Sequence, residues 1–178
     1  MKFFKKRSVA LVICALVIIA STLGNTRWKL GKQCRQLDED FYQQSGIAGQ
    51  LEKLDAEADT LAALAEANGI DAVSLRSASG KLQSMLSQRS VTAPRLCRYY
   101  ETLRTELLAV EQRLLAAKLS DADAAALSKC LETIHSAQNA IGSDAYNEQV
   151  RAFRTKYNSV FTRVLASLAG VTLPLEFA

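Results

Sequence analysis

From residue 8 to residue 26 the chain carries no charged side chain, and its apolar core, "SVALVICALVIIASTLG" at residues 8–24, limits the fold more than any other feature. Seventeen residues of helix span roughly 25 Å, just short of a hydrocarbon core of about 30 Å. Two readings compete: an uncleaved single-pass anchor, or a signal peptide cut near "STLG". The run is at the long limit for a signal-peptide core, and the helical pattern continues past residue 26 without a turn signal. Lys5, Lys6 and Arg7 stand before the run, and Arg27, Trp28, Lys29 and Lys32 follow it as an interfacial belt would. These features favour the anchor. Cys14 lies inside the run and not at its end, which argues against a lipid-modified N-terminal cysteine. The cations before and after the run nearly balance. The N-terminal amine and the tighter leading cluster tip the expectation to a cytoplasmic N-terminus and a body outside the cytoplasm. The chain then divides into a basic tail with its transmembrane anchor, residues 1–25, and a body, residues 26–178.

The formal charge of +4 comes entirely from Lys2, Lys5, Lys6 and Arg7. From residue 26 onward 18 Lys and Arg face 18 Asp and Glu, so the sequence gives no argument for a nucleic-acid partner. The body is rich in Ala and Leu, and the chain has two prolines, which favours helix over sheet.

Four helical segments are expected in the body. The first covers about residues 27–67, with Leu30, Cys34, Leu37, Phe41, Leu51, Leu54, Ala58 and Leu61 at bundle spacing and a stop at Asn68-Gly69. Gly46 and Gly49 weaken its middle and mark a kink. The second starts after Asp71, a candidate N-cap, and ends near Arg89, with Leu75, Ala78 and Leu82 on its stripe. The third covers about residues 93–119, capped by Thr92 with Pro94 in its first turn. Its seam is Leu96, Tyr100, Leu103, Leu107, Val110 and Leu114. The fourth opens on the capping signature "SDAD" at residues 120–123 and runs to Leu168. Its seam passes through Leu127, Leu131, Ile134 and Ile141. It steps sideways near Gly142-Ser143, then continues through Tyr146, Val150, Phe153, Tyr157, Val160, Val164 and Leu168. Short connections imply antiparallel neighbours. The expected fold is all-α, an antiparallel up-and-down four-helix bundle behind an N-terminal transmembrane helix.

Catalytic chemistry is hard to find. His135, the only histidine, sits mid-helix with no local nucleophile signature, and reads as a surface or half-buried helical residue. Cys34, Cys97 and Cys130 are widely spaced, without the clustering of a zinc site, and read as small apolar residues. Should a disulfide form, Cys34 and Cys97 are the preferred pair, since both stand near helix starts. "DADAAAL" at residues 121–127 lacks the Gly and distal Glu of a calcium loop, and no glycine-rich phosphate loop is present. No metal, cofactor or catalytic residue is expected. Arg151, Arg154, Lys156 and Arg163 make the last segment basic, which reads as a solvated face, with a lipid head-group or acidic-partner surface as the alternative.

"AYNEQVRAFRTKYNSVFTRVLASLAGVTLPLEF" at residues 145–177 resembles the C-terminal signature of the LemA family. Tyr146, Asn147, Val150, Phe153, Thr155, Ser159, Ala166, Gly170 and Phe177 fall in its register without a gap. Arg154, Phe161 and Ser167 depart from it, and the motif of the family's first hairpin is not evident. The resemblance implies a bacterial, membrane-anchored helical bundle with no established enzymatic activity, and it carries over no catalytic residue. The candidate signature or interaction residues are Tyr146, Asn147, Val150, Phe153, Thr155 and Gly170.

The expected function is therefore a non-enzymatic, membrane-tethered interaction or scaffold module of the cell envelope. It would contact lipid through the N-terminal helix and a protein partner of unknown identity, with a second copy of itself included. The alternatives are a small hydrolase or redox protein using His135 or a cysteine, and a bundle secreted after cleavage of residues 1–24 or so. Of the two Tyr-Asn pairs, Tyr146-Asn147 matches the signature, whereas Tyr157-Asn158 needs only a packing explanation. Both tyrosines are expected on the seam with their hydroxyls at its edge, and Tyr157→Phe is expected to be nearly neutral.

Overall fold

The computed structural model describes residues 2–88, 91–168 and 170–177, with their side chains from residue 10 onward except that of Phe161. Among these residues there are seven helices and no strand: α1 (Lys2–Tyr42), α2 (Ile47–Ala67), α3 (Val73–Leu86), α4 (Ala93–Ala116), α5 (Asp121–Ser143), α6 (Tyr146–Lys156) and α7 (Val160–Leu168). An extended tail follows α7. The chain forms two compact units. The first is Met1–Asp38 with Val150–Pro174, and the second is Glu39–Gln149 with Leu175–Ala178.

In the second unit, α2 packs against α3, α4 and α5, and α3 packs against α4. Leu51, Leu54, Leu61, Leu75, Leu82, Leu96, Leu103, Leu107 and Leu114 are fully buried. The α4 seam is thus buried as its heptad spacing required. The short link from α4 to α5 does not make those two close neighbours. The main contact of α5 is with α2, through Leu127, Cys130, Ile134, Ala137 and Ile141 on its buried face.

Several helix ends follow directly from sequence. Gly69 takes φ +72, and Ile70 N–H and Gly69 N–H donate to the carbonyls of Ala65 and Glu66, the paired bonds that close a helix on a left-handed glycine. Ser120 Oγ accepts from Asp123 N–H at 3.2 Å and donates to the Asp123 carboxylate at 2.8 Å. Thr92 is the N-cap of α4 with Pro94 in its first turn, but its side chain makes no capping bond. Asp71 acts from one residue further out than expected: Ala72 is the N-cap, and Asp71 Oδ1 accepts from Val73 N–H at 3.0 Å.

Two expected continuous segments are interrupted. The segment over residues 27–67 is not kinked but broken, between Tyr42 and Ile47. A Cβ on Gly46 would collide with the Asp40 and Phe41 carbonyls, and one on Gly49 with the Gln43 and Gln44 carbonyls. Two bare backbones are what allow the chain to pack so closely at this break. The fourth segment breaks into α5, α6 and α7. Asp144 Oδ1 accepts from Tyr146 N–H at 2.7 Å, and Ser159 Oγ accepts from Thr162 N–H at 3.1 Å, so each break carries its own cap for the helix that follows. The second break turns the expected seam inside out. Val160, Val164 and Leu168 are exposed, and among the described side chains of α7 Ala166 is the buried one.

Candidate functional site: an aromatic clamp on the C-terminal tail

The Tyr146-Asn147 pair opens α6, where the Asp144 cap sets the first turn. In the second unit both side chains hold the tail by its backbone. Tyr146 Oη donates to the Leu175 carbonyl at 2.9 Å. Asn147 Nδ2 donates to the Phe177 carbonyl at 2.8 Å, and Asn147 Oδ1 accepts from Phe177 N–H at 2.7 Å. An amide side chain presents both donor and acceptor, so it pairs with the N–H and the carbonyl of a single residue as a neighbouring strand would. The ring of Phe177 is buried with centroids 5.9 Å from both Phe41 and Tyr100, and Tyr146 lies 4.9 Å from Phe41. These tilted, closely spaced rings are the favoured geometry for aromatic side chains. The clamp holds the tail by its backbone and by one aromatic ring.

Other signature residues play separate parts in the first unit. Val150 and Phe153 are buried, Thr155 is exposed, and Gly170 takes φ +66 to end α7. Phe153 stacks at 4.8 Å on Tyr157. Tyr157 is half-buried, beneath the Lys156 ammonium, and its Oη donates to Gln33 Oε1 at 2.7 Å. The second tyrosine therefore does more than fill a seam, because it ties α6 to α1 by a specific bond. No sequence signal marks that link, since its two ends stand 124 positions apart.

Among the described residues no buried side-chain nitrogen or oxygen lacks a hydrogen-bond partner. Ser79 Oγ lies 2.6 Å from Asp55 Oδ1 and 3.1 Å from Asp59 Oδ1. One hydroxyl proton cannot serve two ionised carboxylates, so a second proton is favoured here. Burial pushes the Asp55 carboxyl above the usual range, the Ser79 bond opposes this, and the Asp59 charge adds to it. All four cysteines are unpaired. Burial pushes the Cys34 thiol up to about 11 and the Cys130 thiol up to about 12, and Cys97 is raised for the same reason. His135 is exposed, with Glu111 Oε1 4.0 Å away, outside hydrogen-bond reach.

Charge is divided between the units, which the balanced total conceals. The first unit holds twelve Lys and Arg against a single acidic residue, Asp38; the second holds ten against seventeen. An open groove of about 510 Å³ in the first unit is lined by Gly24, Arg27, Trp28, Arg35 and residues 170–172, among others. Trp28 and Lys29 are exposed. The side chains of Lys5, Lys6 and Arg7 lie outside the described residues. One helix near the N-terminus, α1, is long and apolar enough to cross a membrane.

In comparisons with protein-family models, with curated proteins and with solved structures, nothing matches the chain.

Proposed function

We propose that the chain is a membrane-tethered, non-enzymatic interaction module. Its second unit would be an antiparallel up-and-down bundle of α2–α5 that presents a helix face to a partner. The observation that carries this reading is on α4. Leu108 and Leu115 stand seven residues apart on that helix and are exposed, while its other face supplies the buried seam. A seven-residue apolar spacing on an outer face is what a partner helix, or a second copy, would cover. Supporting it, burial keeps the Cys34, Cys97 and Cys130 thiols protonated, and His135 is exposed with the Glu111 carboxylate 4.0 Å away. Those same observations weigh against a hydrolase or redox reading.

The apolar run supports retention as an anchor. Leu11, Val12, Ile13, Leu16, Val17, Ile18 and Ile19 face outward on every side of α1, as in a helix solvated by lipid. We place the N-terminus in the cytoplasm and the second unit in the envelope, with lipid and an unidentified protein as partners. The gap-free register of Tyr146, Asn147, Val150 and Phe177 supports classing the chain as a divergent LemA-like protein. A photo-crosslinking residue at position 108 or 115, irradiated in intact membranes, tests the function. A defined protein adduct at these positions and none at Thr60, an exposed site on α2, is expected. Recovery of monomer and lipid adducts alone would count against the interaction role.

A further inference from the structure

The helix α7 is amphipathic in the wrong sense for a bundle helix in water. Val160, Val164 and Leu168 form one stripe at four-residue spacing and are 77%, 52% and 68% exposed, whereas Ala166, about 200° around the helix from Val164, is the buried one among the described side chains. Among the described side chains of α7, the small Ala166 is turned inward and three larger apolar residues are turned outward, which leaves their stripe uncovered. We propose that this stripe rests in the head-group layer of an anionic bilayer, making α7 a second membrane contact beside the anchor.

Three observations fix the occupant. The first is placement. Tyr157 Oη bonds Gln33, which holds the chain just before α7 at a point on α1 about 13 Å beyond Gly24. Beyond the other end of α7, residues 170–172 line an open groove with a stretch of α1 that runs from Gly24 and Trp28 to Asp38. One end of α7 is therefore bonded to α1, and the other lies beside it, within the stretch from Gly24 to Asp38 that follows the apolar run. Head groups add roughly 5–7 Å on each side of the hydrocarbon, and an interfacial helix seats its apolar face near that boundary. The second is charge. Past the apolar run the first unit carries eight Lys and Arg, Arg27, Lys29, Lys32, Arg35 and Arg163 among them, against Asp38 alone. Basic juxtamembrane segments bind anionic lipid by about 1 kcal/mol per cation. The third is Trp28, 64% exposed at the same level, where an indole prefers the interface.

This inference rests on the anchor reading, and the chain's single tryptophan lets the two fail separately. Full-length protein is reconstituted in vesicles of phosphatidylcholine and phosphatidylglycerol, with lipids brominated at a shallow or a deep acyl position as quenchers. The native chain reports Trp28. A Trp28→Phe, Val164→Trp chain reports α7, and Trp28→Phe, Val160→Trp is a second placement in case the first misfolds. The proposal expects blue-shifted emission at position 164 that shallow bromines quench more than deep ones. It also expects quenching to fall when Val160→Ser and Leu168→Ser are added, or when phosphatidylglycerol is omitted. Quenching of Trp28 with red, unquenched emission at both 164 and 160 overturns the proposal and leaves the anchor standing. Loss of quenching at Trp28 as well overturns both. Blue-shifted but lipid-insensitive emission at 164, with crosslinked dimer, means a second copy covers the stripe and likewise overturns it.

Discussion

Asn147 holds Phe177 at both faces of its backbone, accepting from its N–H at 2.7 Å and donating to its carbonyl at 2.8 Å. The two residues are 30 positions apart, so the bond pair closes a loop that runs through α6, α7 and the tail. Asn147→Asp keeps the acceptor but sets a carboxylate against the Phe177 carbonyl. It should cost about 1–3 kcal/mol in urea unfolding of the detergent-solubilised chain. Phe177→Ala removes the ring seated against Phe41 and Tyr100 and should cost about 3 kcal/mol. The double variant should fall well short of the sum, since both act on one contact; full additivity would mean that the side-chain pairing and the ring hold the tail independently.

Gly49→Ala is the sharpest test of the break between α1 and α2. On propensity alone, alanine within a helix should stabilise by up to about 1 kcal/mol. A Cβ there meets the Gln43 and Gln44 carbonyls, which are backbone and cannot swing aside. A loss of about 1–3 kcal/mol is therefore expected. A rise in melting temperature would show that α1 and α2 join as one straight helix.

How much of this was legible in the sequence depends on the distance over which each cause acts. The stop at Asn68-Gly69, the Ser120–Asp123 cap and the α4 seam are set by residues within a turn or two, and all were readable. The break before α7 was not, because Val160, Val164 and Leu168 prolong the seam's spacing and periodicity does not say which way a face points. The clamp was readable only as a Tyr-Asn pair. Its partners, Leu175 and Phe177, lie on an extended tail without helical spacing. Charge segregation escaped for a similar reason. The cations of residues 27–35 and 151–163 fold into one unit although more than a hundred residues part them.

Tyr157→Phe, expected from sequence to be nearly neutral, takes on a defined cost once the bond to Gln33 is seen. Removing a half-buried hydroxyl that donates at 2.7 Å should destabilise by about 1 kcal/mol. Gln33→Leu should give a loss of similar size, and the pair combined little more than either alone. A neutral Tyr157→Phe would mean that water replaces the bond without loss.

The Asp55 carboxyl makes stability depend on pH in a direction opposite to most acidic groups. Its raised folded-state pKa means that the native state holds a proton the unfolded chain releases. Its contribution is present below the ordinary aspartate range and is lost as pH rises through the elevated folded value. Asp55→Asn, which cannot ionise and still accepts from Ser79, should remove this loss. Relative to the native chain it should gain stability between pH 4 and pH 7 in paired melts. An unchanged difference across that range would show that Asp55 is ionised in the fold at both ends.

The central claim is that residues 8–24 remain as an anchor holding the folded body to a membrane. The most direct measurement is the intact mass of the mature protein recovered from carbonate-washed membranes of cells expressing the native gene. A chain beginning at Met1 or Lys2, found in the washed membranes, is the predicted result. A soluble chain whose mass places its N-terminus after the "STLG" segment would contradict the account.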